Sequence, residues 1–315
     1  MRPCPLCGSS DVRTWLQSVP RLGGTAPSRF RILRCGECGL GWTDPPPSDD
    51  ELREAYGPAY TWLERPGRVA RAEALYRQVL ARVDQARVVR LASRIAGGTK
   101  LLDVGCGDGL LVSEARRLGL EAFGVDRPGA PLWPGCDASW RQAGDIETLE
   151  QPVGAFDVVS LFHVAEHLRA PLDLFRRVHG WLRPGGVFVV QVPNAGSIEA
   201  QWLGRRWYGL DMPRHLVHWS ERSLRRALGQ AGFDVVRIRH VSWRDNGPCL
   251  AGSLVPGLDP LVERERAHAA RPGPRVPAPL RRLAYLALVW GCVPLSLAEA
   301  AVGRAATLTV LARKA

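Results

Sequence analysis

Residues 101–109 read Leu-Leu-Asp-Val-Gly-Cys-Gly-Asp-Gly: a short apolar run, one acid, then glycines at positions 105, 107 and 109. The helical pattern of Leu110 to Leu118 follows, so the stretch is predicted to be a strand, a glycine turn and a helix. Glycines in such a turn let a backbone approach a ligand where a Cβ would collide, and the helix behind presents unpaired N–H groups. The spacing is Gly-x-Gly-x-Gly, not the G-x-G-x-x-G that cradles a pyrophosphate. Asp103 sets an acid beside the turn, which suits a cationic ligand and opposes a phosphate.

The same alternation continues downstream. Ala122–Asp126 (AFGVD) is a second apolar run ending in an acid, AGDIE follows a third, and Phe156–Leu168 (FDVVSLFHVAEHL) and Leu182–Asn194 (LRPGGVFVVQVPN) enclose a helical segment. Strands alternating with helices demand a parallel sheet with crossover helices, and ligands then sit at the carboxyl ends of the strands. His163, Glu166 and His167 follow the fourth strand and so face that crevice.

DVGCGDG followed by Asp126 and Asp145 resembles the S-adenosylmethionine site of the class I methyltransferases. The resemblance implies a Rossmann-like α/β fold, with a seven-stranded sheet and helices on both faces. It implies cofactor contacts from Asp103, Gly105, Cys106, Gly107 and Gly109, with Asp126 accepting from the ribose hydroxyls. Asp145 would reach the adenine amino group while Ile146 packs on the ring. Methyl transfer from a sulfonium needs an in-line acceptor and, where the acceptor is protonated, a base. His163 is the candidate base, with Glu166, His167 and His215 as further catalytic candidates. Ubiquinone-type O-methyltransferases have a similar Glu-His segment, with an acid where this chain has His163.

Two C-x-x-C pairs, Cys4/Cys7 (CPLC) and Cys35/Cys38 (CGEC), have the spacing of a tetrahedral four-thiolate site preferred by zinc. Four cysteine ligands leave no open position, so such a zinc is structural. Val12–Trp15 and Phe30–Leu33 are predicted ribbon strands joined by a Gly/Pro/Ser loop from Pro20 to Ser28, and Ser48 or Asp49 caps a short helix through Tyr56. This stretch resembles the amino-terminal zinc module that precedes the methyltransferase core in many bacterial enzymes, deoxysugar C-methyltransferases among them. The expected segments are a zinc ribbon (1–47), a helical linker with one long helix over Gly67–Ala96 (48–97), the methyltransferase core (98–243) and a carboxy-terminal extension (244–315).

Two stretches flank the acceptor side. Pro193–Trp219 is read as a long link carrying Trp202, Trp207, Tyr208, His215, His218 and Trp219, either an acceptor lid or aromatics packed on the sheet edge. Arg244–Leu280 is read as a Pro-rich connection, Arg281–Val302 as an apolar helix broken or kinked at Pro294, and Thr307–Arg313 as the last strand. Leu283–Val302 has the length of a membrane span, with Glu299 as its one charged residue and arginines at 281, 282 and 304 beside it. A crossing would separate the last strand from the sheet it completes, so the helix is expected on the core, on a partner or in a membrane surface.

With 315 residues and 46% apolar content the chain has material for a full core. A net charge of +11 ordinarily points to nucleic acid or an anionic surface, but among 42 basic residues only Lys100 and Lys314 are lysines and the arginines are scattered. MRPCPLCGSS has no apolar core of a signal segment, and the eight cysteines do not read as a disulfide framework, so a reducing cytoplasm, with the inner membrane face as a peripheral site, is expected. The reading favours an S-adenosylmethionine-dependent enzyme with structural zinc acting on a small-molecule or lipid-linked acceptor. An RNA methyltransferase and a non-catalytic zinc-bearing interaction protein are the alternatives it keeps.

Overall fold

A computed structural model describes residues 2–17, 30–56, 68–129, 132–133, 136–260, 262 and 276–315. The predicted Pro20–Ser28 loop lies outside them. The chain forms two compact units that interleave along the sequence: one from residues 1–62, 193–223 and 240–308, the other from 63–192, 224–239 and 309–315.

The first unit carries a four-stranded antiparallel sheet in the order β1 (Val12–Gln17), β2 (Arg31–Cys35), β3 (Gly41–Asp44) and β9 (Val217–His218). The short helix α1 (Asp49–Ala55) starts where predicted. The Ser48 hydroxyl accepts from Glu51 N at 3.2 Å while the Glu51 carboxylate accepts from Ser48 N at 2.8 Å, a reciprocal cap that satisfies two orphan donors. Phe30 and Ile32 pack with Trp207, Leu210, Met212 and Cys249 in one buried cluster. The stretch read as a long link is therefore structured, holding α6 (Ile198–Leu203), two 3-10 turns and β9. The stretch read as a Pro-rich connection likewise holds α8 (Asn246–Leu254), whose Gly and Pro residues mask a helix that is buried along most of its length. The last helix of this unit, here α9 (Ala278–Ala301), runs unbroken through Pro294.

The second unit is built on a seven-stranded sheet. Its strands are β4 (Lys100–Val104), β5 (Glu121–Asp126), β6 (Arg141–Ala143), β7 (Phe156–Phe162), β8 (Leu182–Pro193), β10 (Phe233–Arg239) and β11 (Thr307–Lys314), in the order β10-β11-β8-β7-β4-β5-β6. The pairs β4–β5, β4–β7, β5–β6 and β7–β8 are parallel, and β10–β11 is antiparallel. Central strands read as unbroken apolar runs because both faces are covered. Val187 and Val189 of β8 join Val158 and the helices α3 (Gln85–Ala96) and α4 (Leu110–Arg117) on one face. Phe188 points the other way and meets Phe175 of α5 (Pro171–Trp181) edge-on at 5.2 Å.

The predicted single helix over Gly67–Ala96 is instead two, α2 (Arg68–Val83) and α3, separated at Asp84. Asp84 takes φ −115° and ψ −83°, yet the hydrogen bonds on either side, Asp84 N to Leu80 O and Val88 N to Asp84 O, are kept. The break is thus a bend with little lost backbone pairing. It frees α2 to reach α4, where Gln78 donates to Glu114 at 2.8 Å and Arg82 pairs with the same carboxylate at 2.5 Å.

Candidate functional site

The glycine turn leaves β4 between the carboxyl ends of β5 and β7. Gly105, Gly107 and Gly109 all have positive φ, at 76°, 58° and 82°. The need for glycine differs along the turn. A Cβ at Gly105 would lie 2.3 Å from Val164 Cγ2, so the end of β7 is pressed against the turn, whereas a Cβ at Gly107 would meet nothing within 4 Å. Gly107 is the exposed crest of the turn, where a ligand could approach the backbone. Its N–H donates to Asp126 Oδ2 at 2.6 Å, and Asp126 Oδ1 accepts from Arg127 N at 2.8 Å. The acid at the end of β5 is thereby held against the crest.

The other cofactor candidates fall around this point. Asp103 is 3% exposed and accepts from Ser160 Oγ at 2.7 Å, so its charge sits inside the sheet below the turn and not at its open mouth. Cys106 packs its sulfur beside Gly124 of β5, and burial, reinforced by the charges of Asp103 and Asp126, pushes its thiol far up. It serves as a packing residue and not as a thiolate. Beyond β6, Asp145 is exposed and folds back to accept from Glu147 N at 2.9 Å, while Ile146 Cδ1 approaches within 3.5 Å of the Gly105 Cβ position. The open crest, the acid held at its side and the isoleucine beneath fit an adenosyl group. Asp126 and Asp145 would hold it by hydrogen bonds and Ile146 by apolar contact.

Sequence reasoning missed the clasp around this turn. Arg77 of α2 pairs with Asp108 at 2.6 Å and stacks over Trp133, 5.2 Å from the ring centroid. Asp108 also returns a contact to its own helix by accepting from Leu110 N at 3.1 Å. Asp108 lies within the glycine-turn stretch DVGCGDG, but its arginine partner 31 positions earlier was not legible from it.

At the end of β7, His163 adopts φ 56°, a left-handed conformation that a non-glycine residue holds only under constraint. The constraint is visible: His163 N donates to Gln191 O at 3.0 Å and His163 Nδ1 lies 3.2 Å from Glu166 Oε1, a carboxylate 1% exposed. In the tautomer whose Nδ1–H donates to Glu166, the basic lone pair falls on Nε2, an atom that is itself buried. His167 follows, with its N–H bonded to Val164 O at 2.9 Å. His215 belongs to the first unit and is held there, Nδ1 2.9 Å from Gly209 O, while its own carbonyl accepts from the Thr43 hydroxyl at 2.8 Å. Trp207 and Trp219 are buried, so the aromatics of this stretch pack inward apart from Trp202.

The four cysteines converge in the first unit. Cys4 Sγ is 3.5 Å from Cys38 Sγ and Cys7 Sγ 3.6 Å from Cys35 Sγ, and all four sulfurs lie within 4.8 Å of one another. A tetrahedron of zinc–sulfur bonds of about 2.3 Å has edges of about 3.8 Å, so the quartet fits zinc. Both knuckles repeat one backbone pattern: Gly8 N donates to Cys4 O and Gly39 N to Cys35 O, while Cys4 N donates to Ser9 O and Cys35 N to Leu40 O. Burial pushes the Cys4 thiol up to about 11, so without a cation this sulfur resists ionising.

Comparison with known proteins follows the same outline. A family profile described as a methyltransferase domain matches residues 74–238, just over half of the chain. The ubiquinone biosynthesis O-methyltransferase of Ruegeria pomeroyi is 32% identical over 157 residues, 44% of this chain and 61% of that protein. The enzyme of the same name from Pseudomonas aeruginosa is 33% identical over 105 residues, 31% of this chain and 45% of that protein. The chain therefore spans less than two thirds of the length of either relative. The crystal structure of an S-adenosylmethionine-dependent methyltransferase from Mesorhizobium loti aligns with a TM-score of 0.45 at 18% identity, covering 72% of this chain and 96% of that one. With the matched span running from α2 to β10 around the glycine turn, the chain belongs to the methyltransferase domain family and carries an amino-terminal cysteine cluster positioned to bind zinc.

Proposed function

We infer that this methyltransferase acts on a hydroxyl of a small or lipid-linked acceptor, in the cytoplasm, with His163 as the base. The carrying observation is the His163–Glu166 pair, fixed in an unfavourable backbone conformation immediately beyond β7, with Val164 pressed on the glycine turn. S-adenosylmethionine, when bound, supplies a methyl group already activated on a sulfonium. What remains for the protein is to hold the acceptor oxygen in line and to take its proton. His163 Nε2 would accept that proton as the oxygen–carbon bond forms, and the buried Glu166 carboxylate would stabilise the resulting imidazolium through Nδ1–H. This is the division of labour of a base and its orienting acid. The ubiquinone-pathway names of the partial relatives support an oxygen acceptor.

The test is transfer of a radiolabelled methyl from S-adenosylmethionine into extracts separated into lipid, small-metabolite and RNA fractions. Label in the lipid or small-metabolite fraction, stable to mild acid and mild base as a methyl ether is and abolished by His163→Ala, is the expected result. Label confined to RNA, or turnover unaffected in His163→Ala, would overturn the assignment.

A further inference from the structure

Helix α9 is built inside out. Its packed face holds Val289, Cys292, Ser296 and Glu299, which include the only acid and a buried hydroxyl of the helix. Its outward face is a stripe of Leu280, Leu283, Leu286, Trp290, Leu297 and Val302, with Leu283 65% and Trp290 71% exposed. A helix on a water-facing surface puts its apolar stripe inward and its charges outward, and contiguous exposed apolar patches are rare on soluble monomers. Here the arrangement is reversed, as it is where lipid is the solvent outside and ionisable groups turn to the protein interior.

The packed side is engaged from Tyr285 to Glu299. Val289 and Cys292 join Leu250 and Ala251 of α8 in one buried cluster, and a Cβ at Gly247 would lie 3.4 Å from Val289 O. Lipid can therefore reach α9 along one side only, which fits a helix lying in a membrane surface and not one crossing it. After Ala301 the chain returns to the sheet as β11.

The charges around the stripe indicate which surface. Arg281 and Arg282 stand at its start and Arg304 beyond its end, and exposed Arg205 and Arg206 follow the 71%-exposed Trp202 in the same unit. The helix exposes no carboxylate, Glu299 being 4% exposed. At its 24 residues α9 is about 36 Å long, enough to bury many apolar side chains at the headgroup boundary while its flanking arginines meet phosphates. We propose that the outward face of α9 docks the protein in plane on an anionic phospholipid bilayer. This goes beyond the acceptor reading above, because docking requires no methyl transfer.

The experiment is flotation of the full chain on a density gradient with vesicles of phosphatidylcholine alone or phosphatidylcholine mixed with phosphatidylglycerol. Wild type should float with the mixed vesicles and be released by carbonate. Leu283→Asp with Trp290→Asp should abolish flotation, and Arg282→Gln with Arg304→Gln should weaken it roughly tenfold or more. Both variants alter exposed or flanking side chains, so S-adenosylhomocysteine affinity and melting temperature should be unchanged, which separates lost docking from lost folding or lost cofactor binding. Failure of folded, cofactor-binding wild type to float overturns the proposal. So does carbonate resistance, which would mean insertion across the bilayer, and so does a concentration-dependent dimer that Leu283→Asp with Trp290→Asp dissolves, which would give the stripe to a second copy.

Discussion

Asp126 and His163 each make a separable prediction under the proposed function. Asp126 accepts from Gly107 N and from Arg127 N, so it holds the crest of the glycine turn in place, and in the proposed site it would also accept from a bound ribose. Asp126→Asn should weaken S-adenosylhomocysteine binding about tenfold or more, since charge-assisted hydrogen bonds of this type contribute roughly 1.5 to 3 kcal/mol. Titration calorimetry decides it, and an affinity equal to wild type would remove Asp126 from the site. His163 behaves differently. His163→Ala should keep the cofactor affinity and lose turnover by about 100-fold or more, the usual worth of a positioned base. Because a left-handed φ of 56° favours glycine, His163→Gly should be at least as stable as His163→Ala yet equally inactive, a pairing that no core-packing role for the imidazole would give. The glycine spacing and the acid at position 126 were readable in the sequence. The strained backbone at His163 was not, since it arises from the pull of Gln191 O and Glu166 on one residue, neither of which a local pattern records.

Among the elements, α6 and α9 meet through a pair of buried acids. Glu199 is wholly buried, neither of its oxygens makes a hydrogen bond of ordinary geometry, and Glu299 is 4% exposed. Burial first, then the neighbouring Glu299 charge, raises Glu199 to about 8, and burial raises Glu299 as well. A carboxyl whose folded pKa lies above its unfolded value of about 4.3 binds a proton more tightly in the folded state. Its contribution is fully present below that unfolded value and is lost as pH rises through about 8. Wild type should therefore melt at progressively lower temperature across this window. Glu199→Gln, which keeps the shape and cannot ionise, should flatten the profile by up to about 1.4 kcal/mol per pH unit. Parallel melting curves for the two proteins from mildly acid to mildly alkaline pH would refute the raised Glu199 carboxyl. The apolar composition of this helix was plain in the sequence, and a break at Pro294 was expected. The helix continues because a proline forfeits one hydrogen bond, an amount that packing of its inner face against α8 offsets.

For the molecule as a whole, the ribbon is not a free module. Its strand β3 pairs with β9, and its Phe30 and Ile32 share a core with Trp207 and Leu210, so the cysteine quartet anchors a unit assembled from distant parts of the chain. One zinc per chain is expected by elemental analysis of reduced protein. Removing it with a strong chelator, or by Cys38→Ser, should melt this unit while the seven-stranded sheet keeps its structure and its S-adenosylhomocysteine affinity. Calorimetry should show a shift in one transition and not in the other, and a zinc-free preparation with both transitions intact would discard the site. The sequence alone determined the parts whose information is local: the turn at Gly105–Gly109, the order of strands and helices from β4 to β8, and the two cysteine knuckles. Each depends on spacing within a few residues, where periodicity and side-chain chemistry act directly. Only the tertiary structure decided what those parts hold and where they face. Residues 217 and 218 became a strand because β3 offered an edge, α8 became a helix because its apolar surface found α9, and α9 turned Ser296 and Glu299 inward and its leucines outward. Such choices rest on contacts between residues far apart in the chain, and no window of sequence contains both partners.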